Sequence, residues 1–92
     1  MTAIDLAQFT ITDHDSPVIR AAKQGCLDGI AHATQMHTDD PAGGAARFPA
    51  FLFEAAETSP ALADLVGHNT TVYTAGFTAW GMQQWWSLTD PS

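Results

Sequence analysis

A helical repeat of apolar residues that begins after Pro17 most constrains the fold of this chain. Ser16 can cap the first free amides of a helix, and Pro17 suits the first helical position. Apolar or small residues then recur every three or four positions on one face. They are Val18, Ile19, Ala22, Cys26, Gly29, Ile30, Ala33 and Met36. This pattern predicts a helix over residues 17–37.

Small side chains dominate the predicted buried face of that helix. Ala22, Cys26, Gly29 and Ala33 lie on this face, and Gly25 flanks them. A glycine inside a helix costs about 1 kcal/mol relative to alanine, so the two glycines need a structural reason. We expect that reason to be the close approach of a neighbouring helix.

The rest of the chain is divided by proline and glycine. Residues 38–46, which contain Pro41, Gly43 and Gly44, are predicted to form a flexible loop. Further helices are predicted at about 49–58, at 60–66 after the Ser59-Pro60 cap, and at 70–88. The last helix is predicted to be buried on most of its circumference. Its narrow polar face consists of Thr70, Thr71, Thr74, Thr78 and Gly81.

These elements predict one domain over residues 1–92, an all-α compact bundle of three to four helices. A short extended segment can precede the first helix. The alternative is an α+β fold with short strands near residues 8–12 and 70–75. Phe9 to Thr12 alternate as a strand does, and threonine and valine are frequent from Thr70 to Thr74.

The charge balance excludes several classes of partner. The sequence has ten carboxylates and three fixed cations, Arg20, Lys23 and Arg47, which gives a net charge of −7. Such a chain is repelled by phosphate backbones and by anionic membrane surfaces. No apolar stretch approaches the roughly 20 residues that span a bilayer. We therefore expect neither direct nucleic-acid binding nor membrane association, and a protein partner with a basic surface.

Cysteine usage indicates a reducing compartment. Cys26 is the only cysteine, so no internal disulfide can form. The first residues, Met1 to Asp5, lack the basic region and long apolar run of a signal peptide. The sequence therefore predicts a cytoplasmic protein.

No motif in the sequence points to catalysis or to a cofactor. Gly43-Gly44 is not followed by the lysine and the serine or threonine of a phosphate-binding loop. Glu54 and Glu57 fit the solvated face of an amphipathic helix, and Cys26 lies within an apolar face. We predict no enzymatic activity, no catalytic residue and no cofactor.

Metal binding has little support in the histidine spacing. His32 and His37 are five residues apart and point away from each other on a helix. Asp28 and His32 are most simply interpreted as a surface pair. Residues 13–15 and 37–40 hold carboxylates and histidines that could meet in space, although no pattern requires it. No metal site is predicted.

The helical pattern breaks after Met82, which marks the predicted interaction site. Either the helix ends near Met82, or its last turns meet something other than the core of this domain. Adjacent helical residues point about 100° apart, so at least one tryptophan of the 85–86 pair should be exposed or at an interface. The predicted protein-interaction residues are Gln83, Gln84, Trp85 and Trp86, with the carboxylates of Asp13, Asp15, Asp39 and Asp40.

The leading functional hypothesis is a non-enzymatic protein-interaction module, an acidic inhibitor or adaptor of a larger protein or complex. Phage-encoded inhibitors such as anti-CRISPR proteins, which can block a basic nucleic-acid-binding surface, are similar in size and charge, but no shared motif supports this similarity. One alternative is a structural subunit of a larger assembly. Another is a small metal-binding or sensory domain that uses histidine and aspartate.

Overall fold

The computed structural model describes residues 6–39 and 50–89, and within these ranges it is all-α. A short 3-10 helix, η1, precedes the first α-helix, and a second, η2, lies between the other two. The elements are η1 (Leu6–Phe9), α1 (Pro17–Asp39), α2 (Ala50–Thr58), η2 (Pro60–Asp64) and α3 (His68–Thr89). This confirms the predicted helical bundle. The described residues contain no strand, so the α+β alternative is wrong.

Local signals account for the start of α1 and of η2. The Ser16 hydroxyl accepts a hydrogen bond from the Ile19 amide at 3.4 Å, and α1 begins at Pro17. Ser59 caps η2 in the same way, accepting from the Ala61 amide. The element predicted at 60–66 is a 3-10 helix that ends at Asp64, because Leu65 adopts an extended backbone.

Two element boundaries in the structure differ from the predicted ones. Helix α1 continues through Thr38 and Asp39, so these two residues are not part of a loop, and residues 40–46 lie outside the described ranges. At the N-terminal side, the segment expected to be extended begins with η1. Both the amide and the hydroxyl of Thr10 bond to the Ala7 carbonyl, which closes this turn.

Helix α3 does not end near Met82 but continues for two further turns to Thr89. These turns are not displaced from the domain either, since Trp85 is in the core, only 2% exposed. The Trp85 ring meets His37 of α1 edge-on, with 5.4 Å between ring centroids. The last turns of α3 therefore still pack against α1, which Gln84 also contacts through Thr34.

Helices α1 and α3 run parallel and form the main packed pair. Gly25 lies beside Tyr73 and Gly29 beside Phe77, so contacts advance along both helices in the same direction. Helix α2 runs the opposite way, with Leu52 beside Gly81 and Ser59 beside Tyr73. The largest core cluster lies where the three helices meet. Its buried members are Ala21, Ala33, Leu52, Ala56, Tyr73, Phe77 and Trp85.

Glycines set the distance between α1 and α3. A Cβ atom at Gly25 would overlap the Tyr73 carbonyl and lie 2.9 Å from its Cα. A Cβ at Gly29 would overlap the Phe77 carbonyl in the same way. On the other helix, a Cβ at Gly76 would lie 2.9 Å from the Ala22 carbonyl oxygen. The close helix approach expected from the small residues is confirmed.

The buried face of α1 is wider than the predicted one. Cys26, Gly29, Ile30 and Ala33 are buried as predicted, Ala21 and Gly25 are buried as well, and Ile19 is 47% exposed. At one edge of this face, Cys26 and Ile30 pack against Phe9 of η1. Trp80 of α3 joins this second cluster, with its ring 4.9 Å from that of Phe9, so η1 packs against both long helices.

Candidate functional site

A partly buried hydrogen-bond network joins three elements of the bundle. The Tyr73 hydroxyl of α3 donates to an Asp28 carboxylate oxygen of α1 at 2.5 Å. The Ser59 hydroxyl, at the cap of η2, lies 2.7 Å from the same Tyr73 oxygen. The other Asp28 oxygen accepts from the Gln24 side chain at 2.7 Å. This network connects α1, η2 and α3 through polar groups that are satisfied within the protein.

An open cavity of about 500 Å³ lies beside this network and brings together side chains of the types that catalysis uses. Asp28, His32 and Ser59 line it. Burial lowers the pKa of His32 below its usual value. However, both Asp28 oxygens and the Ser59 hydroxyl are engaged in the network with Tyr73, so their geometry is that of a structural link.

The sole tyrosine makes this network measurable by alkaline titration. Burial, reinforced by the hydrogen bond to Asp28, raises the pKa of Tyr73 from 10.0 to about 12. Neutral Tyr73 thus contributes stability in full below pH 10, and this contribution is lost as the pH rises towards 12. We expect tyrosinate absorbance to stay flat through pH 10–11 and to rise near pH 12.

The control for this titration is Asp28→Asn, which removes the negative charge but keeps an oxygen acceptor. Its tyrosinate midpoint should move down towards 10.0, the ordinary value for tyrosine, while burial keeps it above that value. A wild-type midpoint near 10.0, recorded while circular dichroism still reports folded protein, would contradict the burial and bonding of Tyr73.

The tryptophan pair divides between core and surface. Trp85 is buried, and Trp86 is 52% exposed. Gln83 is exposed, and the half-buried Gln84 donates to the Thr34 hydroxyl of α1 at 2.9 Å. Of the four predicted interaction residues at this end, Trp86 and Gln83 are thus the two that present most of their surface to a partner.

The predicted acidic residues do not form one site. Asp13 and Asp15 precede α1, and Asp39 ends it, at opposite ends of a helix of 23 residues, about 33 Å long. Residues 13–15 therefore do not come close to residues 37–39, the described part of the second acidic segment. Asp40 lies outside the described residues. No group of three or more histidine, cysteine, aspartate or glutamate side chains among the described residues could hold a metal ion.

Asp15 has a structural partner of its own. Its carboxylate accepts from Lys23 at 2.9 Å and from the Thr12 amide at 3.0 Å. The hydrogen bond from Lys23, followed by that from Thr12, lowers the pKa of Asp15. Lys23 also donates to the Thr10 carbonyl. These contacts fasten the segment before α1 to the first turns of that helix.

A shallow, mostly apolar groove with a volume of about 770 Å³ lies between α2 and α3. We call it the α2–α3 groove. Its walls come from one side of α2 and from the outer face of α3. The lining residues are Phe53, Glu57, Thr70, Thr71, Thr74, Ala75, Thr78, Ala79 and Met82. Phe53, at 51% exposure, is the largest apolar side chain among them.

The threonines of the groove present carbon more than oxygen. The Thr78 hydroxyl donates to the Thr74 carbonyl at 2.9 Å, and the Thr74 hydroxyl donates to the Thr70 carbonyl at 2.9 Å. Because these hydroxyls are bonded to the helix backbone, the methyl groups remain available for packing. The groove is therefore more apolar than its sequence indicates.

Trp86 extends the same strip of α3. At 3.6 residues per turn, positions 75, 79, 82 and 86 fall within an arc of about 60°. Ala75 and Ala79 are exposed, although the sequence pattern placed them on the buried part of this helix. Of this strip, the sequence pattern predicted Trp86 as an interaction residue.

The charge at the groove comes from one carboxylate, Glu57. Glu54, one turn earlier on α2, lines a neighbouring cavity with His32 and Met36 of α1. No cation is among the described lining residues. Arg20 donates to the Thr12 carbonyl, so both described cations are bonded to the segment before α1. Arg47 lies outside the described residues.

Fold and surface together define a small all-α bundle with two parallel, glycine-packed helices and an acidic-rimmed apolar groove. Comparisons with family models, curated proteins and solved structures found no match to this chain. Within the described ranges, none of the helices has both the length and the apolar character required to cross a bilayer.

Proposed function

We propose that this chain is a non-enzymatic protein-interaction module that binds a larger partner through the α2–α3 groove and Trp86. The observation that carries this proposal is the exposed apolar strip of α3 with an aromatic side chain beside it on α2 and another at its end. Tryptophan is enriched among residues that dominate binding energy.

The charge of the chain supports the more specific role of an acidic inhibitor or adaptor. A net charge of −7, with few cations, favours a partner with a basic surface. Such a partner could use that surface to bind nucleic acid, as the targets of some phage-encoded inhibitors do. A buried free cysteine is compatible with the reducing cytoplasm, which we propose as the location.

Affinity capture with matched variants tests this role. We expect wild-type chain, immobilised and incubated with extract of its source organism, to retain a specific protein that is released at high salt. The double variant Phe53→Ser/Trp86→Ala should retain at least about tenfold less of it, because both exposed aromatic anchors are lost. Mass spectrometry of the eluates measures the difference.

The matched control is Val66→Ser, which alters the side chain of a residue that is 79% exposed and does not line the groove. Its capture should equal that of the wild type. Capture of nothing but copies of the chain, or equal capture by the double variant when circular dichroism shows all three proteins folded, would reject the proposed binding surface.

A further inference from the structure

We infer that the α2–α3 groove receives a basic amphipathic helix of about four turns, an inference that rests on the proposed interaction role. The length follows from the strip itself. Between Thr71 and Trp86 the outer face of α3 extends for about 22 Å, since each helical residue rises about 1.5 Å. A helix of similar length laid along this strip would contact it from end to end.

The side chains of the groove suit a helix better than a loop or an extended strand. Ala75, Thr78 and Ala79 form a floor of small side chains, whereas Phe53 and Met82 are bulkier walls. A small-residue floor lets a second backbone approach closely, as the glycines of this protein do where α1 meets α3. Apolar side chains at three- and four-residue spacing on the incoming helix would fill the space between the walls.

Charge specifies the flanks of the incoming helix. Glu57 is the only titratable side chain that lines the groove among the described residues, whereas Glu54 lines a neighbouring cavity beside His32 and Met36. Lysine or arginine beside the apolar face would lie near Glu57, on a chain whose net charge is −7. Complementary charge of this kind accelerates association and disfavours acidic competitors.

A second copy of this chain is a poorer occupant for the same reason. A symmetric dimer through the groove would bring two acidic rims together, each on a chain of net charge −7. Such like-charge contact opposes association. The groove also lacks a described cation that could pair with the glutamates of a partner copy.

Three synthetic four-turn peptides provide the test with the full chain. The first has leucine and alanine on one face and lysine on the flanks. The second has glutamate in place of lysine, and the third is a scrambled lysine peptide of identical composition but no apolar face. Isothermal titration calorimetry at low and high salt measures their affinities for the wild type, Glu54→Lys/Glu57→Lys, Phe53→Ser/Trp86→Ala and Val66→Ser.

We expect the lysine peptide to bind the wild type at least about tenfold more tightly than either of the other peptides, and more weakly at high salt. Glu54→Lys/Glu57→Lys should prefer the glutamate peptide, and Phe53→Ser/Trp86→Ala should lose at least about tenfold in affinity. Val66→Ser should bind as the wild type does. Equal binding of the lysine and scrambled peptides would overturn the inference.

Other outcomes identify other occupants. Sedimentation that shows a dimer dissociated by Phe53→Ser/Trp86→Ala would replace the helix with a second copy. No binding to folded wild type would mean that the groove does not accept a basic helix, for example because this chain covers it. If capture from cell extract requires Trp86 but is unaffected by Glu57→Lys, the proposed interaction role stands and the inference of a basic helix is rejected. Peptide binding as expected without cellular capture would reject only the proposed role.

Discussion

A Gly29→Ala substitution is expected to destabilise the protein by about 3 kcal/mol, the upper end of the usual cost of overpacking, because the added methyl group would overlap the backbone of Phe77. Flexible side chains can move aside, but a helix backbone can yield only if α1 and α3 separate. A domain of this size has a free energy of unfolding of only about 5 kcal/mol or somewhat more. Most of its stability would therefore be lost.

Tertiary packing and helix propensity predict changes of opposite sign in the free energy of unfolding for Gly29→Ala. Propensity alone predicts that Gly29→Ala stabilises α1 by about 1 kcal/mol. Urea unfolding followed by circular dichroism measures the difference. Ala31→Gly, the reverse exchange at an exposed position of the same helix, is the control and should cost about 1 kcal/mol. A Gly29→Ala protein as stable as the wild type would contradict the close approach of α1 and α3.

The second large effect is expected at Trp85. Trp85→Ala should cost about 3–5 kcal/mol, since it removes a large buried side chain from the core and leaves a cavity next to His37. Trp86→Ala should cost less than half as much free energy of unfolding, because half of that side chain is already in solvent. Thermal and urea unfolding of both variants measure the two values.

The two tryptophans are matched controls for each other, because they are chemically identical neighbours on one helix. Loss of fold on Trp85→Ala, together with loss of binding but not of fold on Trp86→Ala, is the expected pair of results. Equal destabilisation by both substitutions would show that the pair acts as a unit in the core, and would remove Trp86 from the proposed binding surface.

The helices of this protein were predictable because their signals are local. Ser16-Pro17 and Ser59-Pro60 act on amides within a few residues, so the start of α1 and of η2 could be placed from sequence. The glycines of α1 also indicated close helix packing. The candidate site was harder to predict from the sequence. The threonines of α3 looked polar in sequence, but hydrogen bonds to the helix backbone occupy the hydroxyls of Thr74 and Thr78.

By itself, the sequence determined that this chain is helical, acidic and tightly packed along one face of its first helix. Periodicity, capping and composition depend only on residue order, which is why they can be recognised without coordinates. Only the tertiary structure decided that Trp85 is inside and Trp86 outside. Residues separated by 100° on a helix are distinguished only by what packs beside them. Here α1 runs parallel to α3 and reaches Trp85 with His37, while α2 leaves the strip that leads to Trp86 uncovered.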